Sequence, residues 1–405
     1  MIDRIVIENF KSLRQVELSL GSLNLFIGTN ASGKSNFFDA LRLLQGLCHG
    51  FTVNEVLDGK PRSDTSEVWD AIRGGSTRAC FANAATSSEI GISVAGHLHR
   101  NSGDRWEYAV RLLPINGRIT QESLTVGDLI FDSAPVSTNS SGAAIRVKCY
   151  TGNPGTPLHL EFGRSRSVLS QMARGRLDIR PEHAESALQV ARILSNTQRV
   201  DPSPAILRGY SQAHHIRRMG EHGENFAALV KTLSEDPATK DAYLAWLRQL
   251  RPAEVDDVGV LSGALGEPLF MLTEGGTQFP AQVLSDGTLR FAAIAAAFFQ
   301  PDMPGILTIE ELENGIHAGR VRLLVELLRS RANAGATQIM ATTHSPIVLA
   351  WLKPEEYRTT FFCKRSEETG ESHISPLSEI PHFNEVVKRQ PIADLFSEGW
   401  LEAAL

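Results

Sequence analysis

The sequence lacks the marks of a disulfide-stabilised, zinc-binding or membrane-spanning protein. Its 405 residues include only four cysteines, which lie far apart without a C-x-x-C pair, so free thiols in a reducing cytoplasm are expected. No apolar run reaches the roughly 20 residues that a membrane helix needs. The longest run, FAAIAAAFF at 291–299, favours a buried helix. A cytoplasmic location without a membrane partner is therefore expected.

An excess of positive charge is also missing. The 40 lysines and arginines are outnumbered by 46 aspartates and glutamates, and the formal net charge is -6. This balance argues against a protein that bulk charge holds on nucleic acid. Sustained heptads are absent as well, so no long coiled coil is expected to leave the molecule. The length predicts two or three packed units.

What the sequence does have is a phosphate-binding loop. Residues 28–35 are GTNASGKS, which matches G-x-x-x-x-G-K-[ST]. Near-alternating apolar residues predict strands over 2–9 and 15–28 before the loop, and helical spacing predicts a helix over 34–47 after it. The backbone amides of 28–33, with Gly28 and Gly33 at the sharp turns, and the helix N-terminus would bind phosphate. Lys34 would reach the β- and γ-phosphates of ATP, and Ser35 would ligate Mg²⁺.

Two later segments place polar side chains at the ends of apolar strands. ILTIEE at 306–311 puts Glu310 where a metal-side acid is needed and Glu311 where a general base would polarise water. TTHS at 342–345 offers His344 as a hydrogen-bond donor to a γ-phosphate. Taken singly, the acidic pair could be an exposed turn and the histidine could be structural. In order behind a phosphate loop, both indicate ATP hydrolysis.

A second anion site is predicted at LSDGT, residues 284–288. Ser285 and the amide of Gly287 begin a predicted helix over 286–300, and helix N-termini attract anions. In isolation this segment would suit a capping turn, with Ser285 or Asp286 as N-cap. Two phosphate-binding helix ends in one chain can serve one nucleotide if two copies meet head to tail.

The remaining pattern predicts four regions. Residues 1–162 form an N-terminal ATPase lobe with a β-rich subdomain, and 163–255 form a helical insertion. Residues 256–353 form a C-terminal ATPase lobe, and 354–405 form a small hairpin and helix. The expected class is α/β: a P-loop NTPase in which helices flank a mixed sheet, with an antiparallel β lobe and a helical insertion.

These residues resemble the ABC-type ATPase heads of the RecF/SMC class. More narrowly, they resemble stand-alone prokaryotic AAA-family ATPases and OLD-like ATPases without the Toprim nuclease domain. The resemblance rests on five segments: IENFKSL (7–13), GTNASGKSN (28–36), LSDGTLR (284–290), IEELENGIH (309–317) and TTHSP (342–346).

The resemblance implies a homodimer that sandwiches ATP, with Ser285 acting in trans and the loop from Glu313 to His317 crossing the interface. It also implies nucleotide contacts from the first two of these segments: Lys11 and Ser12 in 7–13, and Asn30, Ser32 and Asn36 in 28–36.

Three positions depart from the family pattern. Glu310 stands where the family usually has Asp, Leu312 replaces a common proline, and Asp286 replaces the glycine of the transporter signature. The glutamine that couples the metal to the insertion has Gln121 as its nearest candidate.

The use of the ATP energy is open at this stage. About sixty residues follow His344, too few for a Toprim nuclease, so no intrinsic nuclease is expected. An arginine-rich stretch could bind DNA or a partner, or could be a solvated helical face; its members are Arg164, Arg166, Arg174, Arg176, Arg180, Arg192, Arg199, Arg208, Arg217 and Arg218. One hypothesis is an ATPase that switches a DNA-processing or anti-phage complex. The other is a scaffold or sensor, without DNA binding, that controls a toxin or nuclease partner. A transporter subunit is disfavoured by LSDGT and the β-rich segment.

Overall fold

The computed structural model describes residues 1–61, 68–82, 88–98, 104–137, 140–150, 157–174, 181–212, 214–250 and 255–405. Strands and helices are numbered in chain order. The N-terminal part contains β1 (Ile2–Phe10), β2 (Leu13–Ser19), β3 (Leu23–Ile27), α1 (Lys34–His49) and α2 (Val53–Asp58). The first two strands pair antiparallel, and β3 is buried along its whole length. The strand predicted over 2–9 and the helix predicted over 34–47 are present, whereas the segment predicted as a strand over 15–28 is divided between β2 and β3.

Six further strands complete an antiparallel sheet. They are β4 (Ile90–His97), β5 (Arg105–Leu113), β6 (Arg118–Val126), β7 (Asp128–Ser133), β8 (Ala144–Cys149) and β9 (Leu158–Gly163). The sheet order is β2-β1-β4-β5-β6-β7-β8-β9. Alternating buried and exposed residues, as in β8, show that one face is packed and the other is solvated. The predicted antiparallel lobe is therefore present.

The next segment is mostly helical. It contains α3 (Val168–Arg174), α4 (Pro181–Ser195), β10 (Thr197–Val200), α5 (Pro204–Leu207), α6 (Phe226–Leu233) and α7 (Pro237–Leu250). Strand β10 is the exception, because it pairs in parallel with a strand more than 100 residues later. The short strand has only four residues between two helices, which local periodicity does not separate from a loop. The segment predicted as a purely helical insertion therefore contributes a strand to the ATPase sheet.

The C-terminal half supplies most of the second sheet. Its elements are β11 (Val255–Ser262), β12 (Pro268–Glu274), β13 (Thr277–Pro280), α8 (Asp286–Ala297), β14 (Ile306–Ile309), α9 (Ala318–Ala334), β15 (Gln338–Thr343) and α10 (Pro346–Leu349). They are followed by β16 (Thr360–Arg365), β17 (Ser372–Pro376), α11 (Phe383–Val386), α12 (Ile392–Ser397) and α13 (Trp400–Ala404). Strands β11, β12 and β13 form a separate antiparallel sheet.

The second sheet has the order β10-β14-β15-β3-β16-β17. Its first five strands are parallel and β17 is antiparallel. The predicted C-terminal hairpin is thus β16 and β17, and β16 adds directly to the strand that precedes the phosphate loop. This mixed sheet with helices around it has the predicted α/β class.

Aromatic packing fixes the helix that follows the phosphate loop. Phe26 of β3 has its ring centroid 4.4 Å from that of Phe37 in α1 and 5.0 Å from that of Phe361 in β16. All three rings are fully buried. Burial of such side chains contributes about 1.5–3 kcal/mol each. The loop between β3 and α1 is therefore held by rigid elements on both sides.

Among the described residues, no helix combines the length and the apolar character that a membrane crossing demands.

Candidate nucleotide site

The phosphate loop is shaped by glycines that touch the C-terminal hairpin. A Cβ on Gly28 would lie 2.3 Å from the carbonyl oxygen of Cys363, and one on Gly33 would lie 2.3 Å from Ser372 Oγ. Both glycines have positive φ, at 147° and 107°. The hairpin of β16 and β17 thus supports the loop from behind, and a side chain at either glycine would push it away.

Lys34 folds back onto its own loop. Its Nζ donates to the carbonyl oxygens of Gly28 at 2.6 Å and Thr29 at 2.8 Å, and lies 3.4 Å from Ser32 Oγ. Burial lowers the pKa of Lys34 below its usual value. Gly33, the N-cap of α1, makes no side-chain cap hydrogen bond. The loop therefore offers an ammonium group and a helix N-terminus together, which suits a phosphate chain.

Lys11 and Ser12 lie beside this loop, as the resemblance implies. Ser12 Oγ accepts hydrogen bonds from Asn36 Nδ2 at 2.6 Å and from Ser372 Oγ at 2.7 Å. Lys11 Nζ lies 2.5 Å from Asp39 Oδ2, in a pair that is almost fully buried. Sequence reasoning missed Asp39, although its place on α1 one turn after Ser35 was a usable signal.

A cleft of about 740 Å³ opens next to these residues. It is lined in part by Lys11, Ser12, Asn36, Arg73 and Phe81. A second cleft, of about 1020 Å³, opens on Thr29, Asn30 and Ser32 and on the turn between β16 and β17. The loop is therefore accessible from two sides.

Three neighbouring parallel strands end at the predicted catalytic residues. Strand β3 ends at Ile27 before Gly28, β14 ends before Glu310, and β15 ends before His344. These strands pair side by side, with Ile309 opposite Ala341 and Thr343 opposite Ile27. The carboxyl ends of parallel strands meet at one edge of a sheet. The phosphate loop, the acidic pair and the histidine are consequently brought together.

The two acidic residues have different environments. Glu310 is largely buried, and burial raises the pKa of its carboxyl group, while Arg199 and Arg73 act in the opposite direction. Glu311 is exposed, has a positive φ of 46°, and its N–H donates to Thr342 Oγ1 at 2.9 Å. The first carboxylate is therefore largely shielded from solvent, whereas the second belongs to an exposed residue.

Leu312 shows why the family's proline can be absent here. Its N–H donates to the carbonyl oxygen of Thr342 at 2.9 Å, and its side chain is fully buried. Proline has no N–H and could not make this bond. The substitution therefore ties the end of β14 to β15.

His344 is held by the next acidic residue. Glu313 Oε1 accepts from the backbone N–H of His344 at 3.0 Å and lies 3.3 Å from its Nδ1. The histidine itself is exposed. Glu313 thereby orients the ring at the strand end and connects it to the loop that runs from Glu313 to His317.

The serine turn begins α8 as predicted. Ser285 is exposed and caps the helix by accepting from Thr288 N–H at 3.3 Å. A Cβ on Gly287 would lie 2.6 Å from the carbonyl oxygen of Gly315, so this turn packs against the loop from Glu313 to His317. None of the hydrogen bonds or ion pairs among the described residues joins Ser285 to residues 28–35.

Arg290 links α8 to the acidic strand end, and sequence reasoning missed it. Its guanidinium donates to Asp201 Oδ1 at 3.1 Å, to the carbonyl oxygen of Pro202 at 2.8 Å, and to those of Glu310 and Glu311 at 3.0 and 3.2 Å. The side chain is almost fully buried. A charged residue at the start of an otherwise apolar helix was the available signal.

Gln121, the nearest candidate for the glutamine that couples the metal to the insertion, lies away from the phosphate loop clefts. It lies within β6, opposite Arg111 in the antiparallel sheet, and lines none of the described clefts around the phosphate loop. A residue of the 163–255 segment that does face the acidic strand end is Arg199, with Nε 3.4 Å from Glu310 Oε1. A cavity of about 240 Å³ is lined by both and by Asp39.

The arginine-rich stretch is not one free surface. Arg164 is buried and donates to three backbone carbonyls. Six others are bound to acidic side chains or to backbone oxygens, which local sequence does not reveal; they are Arg166, Arg174, Arg199, Arg208, Arg217 and Arg218. Arg176 and Arg180 lie outside the described residues. Arg192 is exposed.

The residues at the strand ends suit a magnesium ion. Mg²⁺ prefers hard oxygen ligands such as hydroxyl and carboxylate groups. Ser35 supplies a hydroxyl at the start of α1, and Glu310 supplies a buried carboxyl at the next strand end but one. Asp39, on the same helix as Ser35, acts electrostatically on Glu310. The chemistry of the donor set therefore fits the predicted metal.

Comparison with protein families gives one match. The family described as "AAA domain, putative AbiEii toxin, Type IV TA system" matches residues 23–350, well over half of the chain. The chain belongs to this family. The match begins at β3 and spans the phosphate loop, the serine turn, the acidic strand end and His344, whereas Lys11, Ser12 and the hairpin of β16 and β17 lie outside it. Among curated proteins, none matches the sequence significantly.

Solved structures of SMC heads are similar to this AAA family member in fold. A head bound to the C-terminal winged-helix domain of ScpA has a TM-score of 0.53 at 12% identity, covering 93% of this chain and 99% of that one. The SMC head of Thermotoga maritima gives 0.47 at 13% identity, covering 93% and 98%. A head bound to the C-terminal domain of ScpA derived from Pyrococcus furiosus gives 0.48 at 12%, covering 96% and 99%. The first likeness supports an ABC-type ATPase fold.

Proposed function

We propose that this AAA family member is a Mg²⁺-dependent ATPase that closes as a homodimer around ATP. The observation that carries the proposal is the meeting of Gly28, Glu310 and His344 at three adjacent strand ends. This edge brings phosphate ligands, a metal-side acid and a γ-phosphate donor to one place. Ordinary structural roles do not require all three there.

Each side chain has a distinct part in hydrolysis. Lys34 leaves the carbonyls of Gly28 and Thr29 and donates to the β- and γ-phosphates. Ser35 and Glu310 would hold Mg²⁺, which neutralises charge on the phosphate oxygens when bound. Glu311, exposed at the strand end, accepts a proton from the attacking water. His344, held by Glu313, donates to the γ-phosphate.

The serine turn supports pairing of two copies. Ser285 is exposed, and α8 presents its N-terminus there. A helix N-terminus with an exposed serine suits the γ-phosphate of a second chain. The contact of Gly287 with Gly315 would pass closure of the dimer to the loop that holds His344.

Nucleotide binding and dimerisation test this proposal together. Lys34→Ala should abolish tight ATP binding, while Glu311→Gln should bind ATP, slow hydrolysis by roughly a hundredfold or more and accumulate a dimer. Light scattering after gel filtration, with and without Mg-ATP, measures the mass. A Glu311→Gln chain that stays monomeric while it turns over ATP at the wild-type rate would refute the assignment.

We further propose that the ATPase regulates or drives a DNA-processing or anti-phage complex through a protein partner, with no nuclease activity of its own. The family description names a type IV toxin–antitoxin system, and a similar SMC head is bound to a ScpA domain. Both observations support a role in which the ATPase acts together with a partner protein.

The alternative is a scaffold or sensor, without DNA binding, that controls a toxin or nuclease. The internal use of most described arginines between 164 and 218 favours this alternative. DNA-stimulated ATP hydrolysis at low salt would support the DNA hypothesis. Absence of any DNA binding under those conditions, together with co-purification of a neighbouring gene product, would support the alternative.

A further inference from the structure

Arg199 lies between two carboxylates at the edge of the ATPase sheet. It belongs to β10 and pairs with Thr308 of β14, two residues before Glu310. Its Nε is 3.4 Å from Glu310 Oε1, and its Nη1 is 3.1 Å from Glu221 Oε1. One guanidinium therefore bridges the acidic strand end and the loop before α6.

Arg199 and Glu310 are close enough to attract each other as opposite charges, but they do not form a hydrogen bond. Arg199 Nε is buried and makes no hydrogen bond among the described residues. Only about a sixth of the Glu310 side chain is exposed to solvent. Attraction between charges is strong in such a low-dielectric place, although no hydrogen bond fixes it. The guanidinium is thus held mainly by charge and by its better-placed partner Glu221.

The other charged groups around Glu310 have separate partners. Asp39 binds Lys11 and Arg73, and Asp201 binds Arg290. Arg290 reaches only the backbone oxygen of Glu310. Arg199 is therefore the cation closest to the carboxylate that the proposed function assigns to Mg²⁺.

We propose that Arg199 is a positioning residue that neutralises Glu310 in the metal-free chain and moves to Glu221 when Mg²⁺ arrives. This inference rests on the proposed Mg²⁺-dependent ATPase function. A guanidinium within 4 Å of the carboxylate repels a divalent ion that takes the same oxygen. Because Glu221 already holds the other end of the group, the exchange requires a small displacement rather than a new partner.

The loops around Arg199 connect this exchange to the serine turn. The N–H of Asp201 donates to the carbonyl oxygen of Glu221 at 2.8 Å, so the loop that follows Arg199 is bonded to the loop that carries Glu221. The same segment continues through α5 to Arg208, which binds the carbonyl oxygen of Leu284 and the carboxylate of Asp286. Movement of Arg199 would therefore reach the surface that meets the second chain.

The test is a Mg²⁺ titration of ATP-analogue binding by the full-length chain, read by fluorescence rather than by turnover. Arg199→Gln removes the competing charge and should lower the half-saturating Mg²⁺ concentration about threefold to tenfold. Glu221→Gln removes the alternative partner, holds Arg199 on Glu310, and should raise that concentration about twofold to fivefold. Arg192→Gln, on the exposed side of α4, should leave it unchanged and serves as the matched control.

Opposite shifts from the two neighbours would support the exchange. An unchanged or higher Mg²⁺ requirement in Arg199→Gln would overturn it, since the arginine would then be neutral or helpful to metal binding. If Arg199→Gln does not fold, judged by its thermal transition, the sign of the Glu221→Gln shift decides. Wild-type binding that shows no Mg²⁺ dependence would instead refute the proposed function itself.

Discussion

At the residue scale, unusual backbone conformations concentrate at the candidate site. Among the described residues, five that are not glycine have positive φ, and three of them belong to the site: Lys11, Ala31 and Glu311. Such conformations cost of order 1–3 kcal/mol each and persist where the surroundings enforce them. Here they turn a charged or loop residue toward the edge where three strands end.

Gly33 provides a test of the contact between the phosphate loop and the hairpin. Gly33→Ala should lower the free energy of unfolding by roughly 3 kcal/mol and weaken ATP binding, because its Cβ would meet Ser372. Gly276→Ala is the matched control, since Gly276 also has positive φ but open space around it. It should cost only about 1 kcal/mol. Urea unfolding measures both, and equal costs would contradict the packing argument.

Glu122 offers a second test, outside the nucleotide site. Its carboxylate is fully buried and accepts from Tyr108, Ser167 and the N–H groups of Val168 and Leu169 at the start of α3. Burial raises the pKa of Glu122, and these donors oppose the rise. Glu122→Gln would turn an amide toward donors and should cost about 1–3 kcal/mol of stability.

Chemical unfolding measures this cost, and Glu107→Gln is the control. Glu107 is exposed on β5 and should change stability by less than about 0.5 kcal/mol. A Glu122→Gln chain as stable as the control would show that the buried carboxylate does not hold α3 against the sheet.

At the element scale, the C-terminal hairpin belongs to the ATPase core. Strand β16 pairs with β3 through Phe361 and Phe362, and Ser372 of β17 bonds Ser12. A small cluster of buried apolar side chains joins Ile27 to residues of α12 and α13. The predicted separate unit over 354–405 is therefore physically continuous with the strand that precedes the phosphate loop.

Truncation tests this continuity. Removing residues after Leu352 should leave β3 as an unpaired apolar edge and give insoluble protein. Removing only α13, after Gly399, takes away a single buried side chain, Leu401, and should leave a soluble chain with a melting temperature a few degrees lower. Expression and thermal melting compare the two. A soluble, ATP-binding chain ending at Leu352 would show that the hairpin is dispensable.

At the scale of the whole molecule, the proposed dimer predicts that two inactive variants can restore activity to each other, because each site takes residues from both chains. Lys34→Ala keeps an intact serine turn, and Ser285→Ala keeps an intact phosphate loop. Each variant alone should lack a complete site. Mixed one to one, they should recover about a quarter of the wild-type hydrolysis rate, because half of the dimers are mixed and each has one complete site.

Steady-state hydrolysis of the mixture, compared with each variant alone, measures this recovery. A mixture with only the summed rates of its components would mean that Ser285 does not act in trans. A Ser285→Ala chain with full activity alone would mean that the serine turn is not part of the site.

Local sequence determined much of the site. Backbone chemistry ties a phosphate loop to glycine, lysine and serine at fixed spacing, and apolar runs of four to six residues before Glu310 and His344 mark buried strands. These residues were therefore sufficient to predict a nucleotide site, and the α/β class followed from them. The family match covers the same segments.

Tertiary structure decided what depends on partners far apart in the chain. Gln121 was a candidate but lies in β6, and Arg199 was grouped with a possible DNA or partner surface. Asp39 and Arg290 were missed, because their partners come from distant parts of the chain. The sequence grouped Arg164 with a possible surface cluster of arginines, but the fold buries this side chain. Sequence periodicity reports which face of an element is buried, but the pairing of charges follows only from packing.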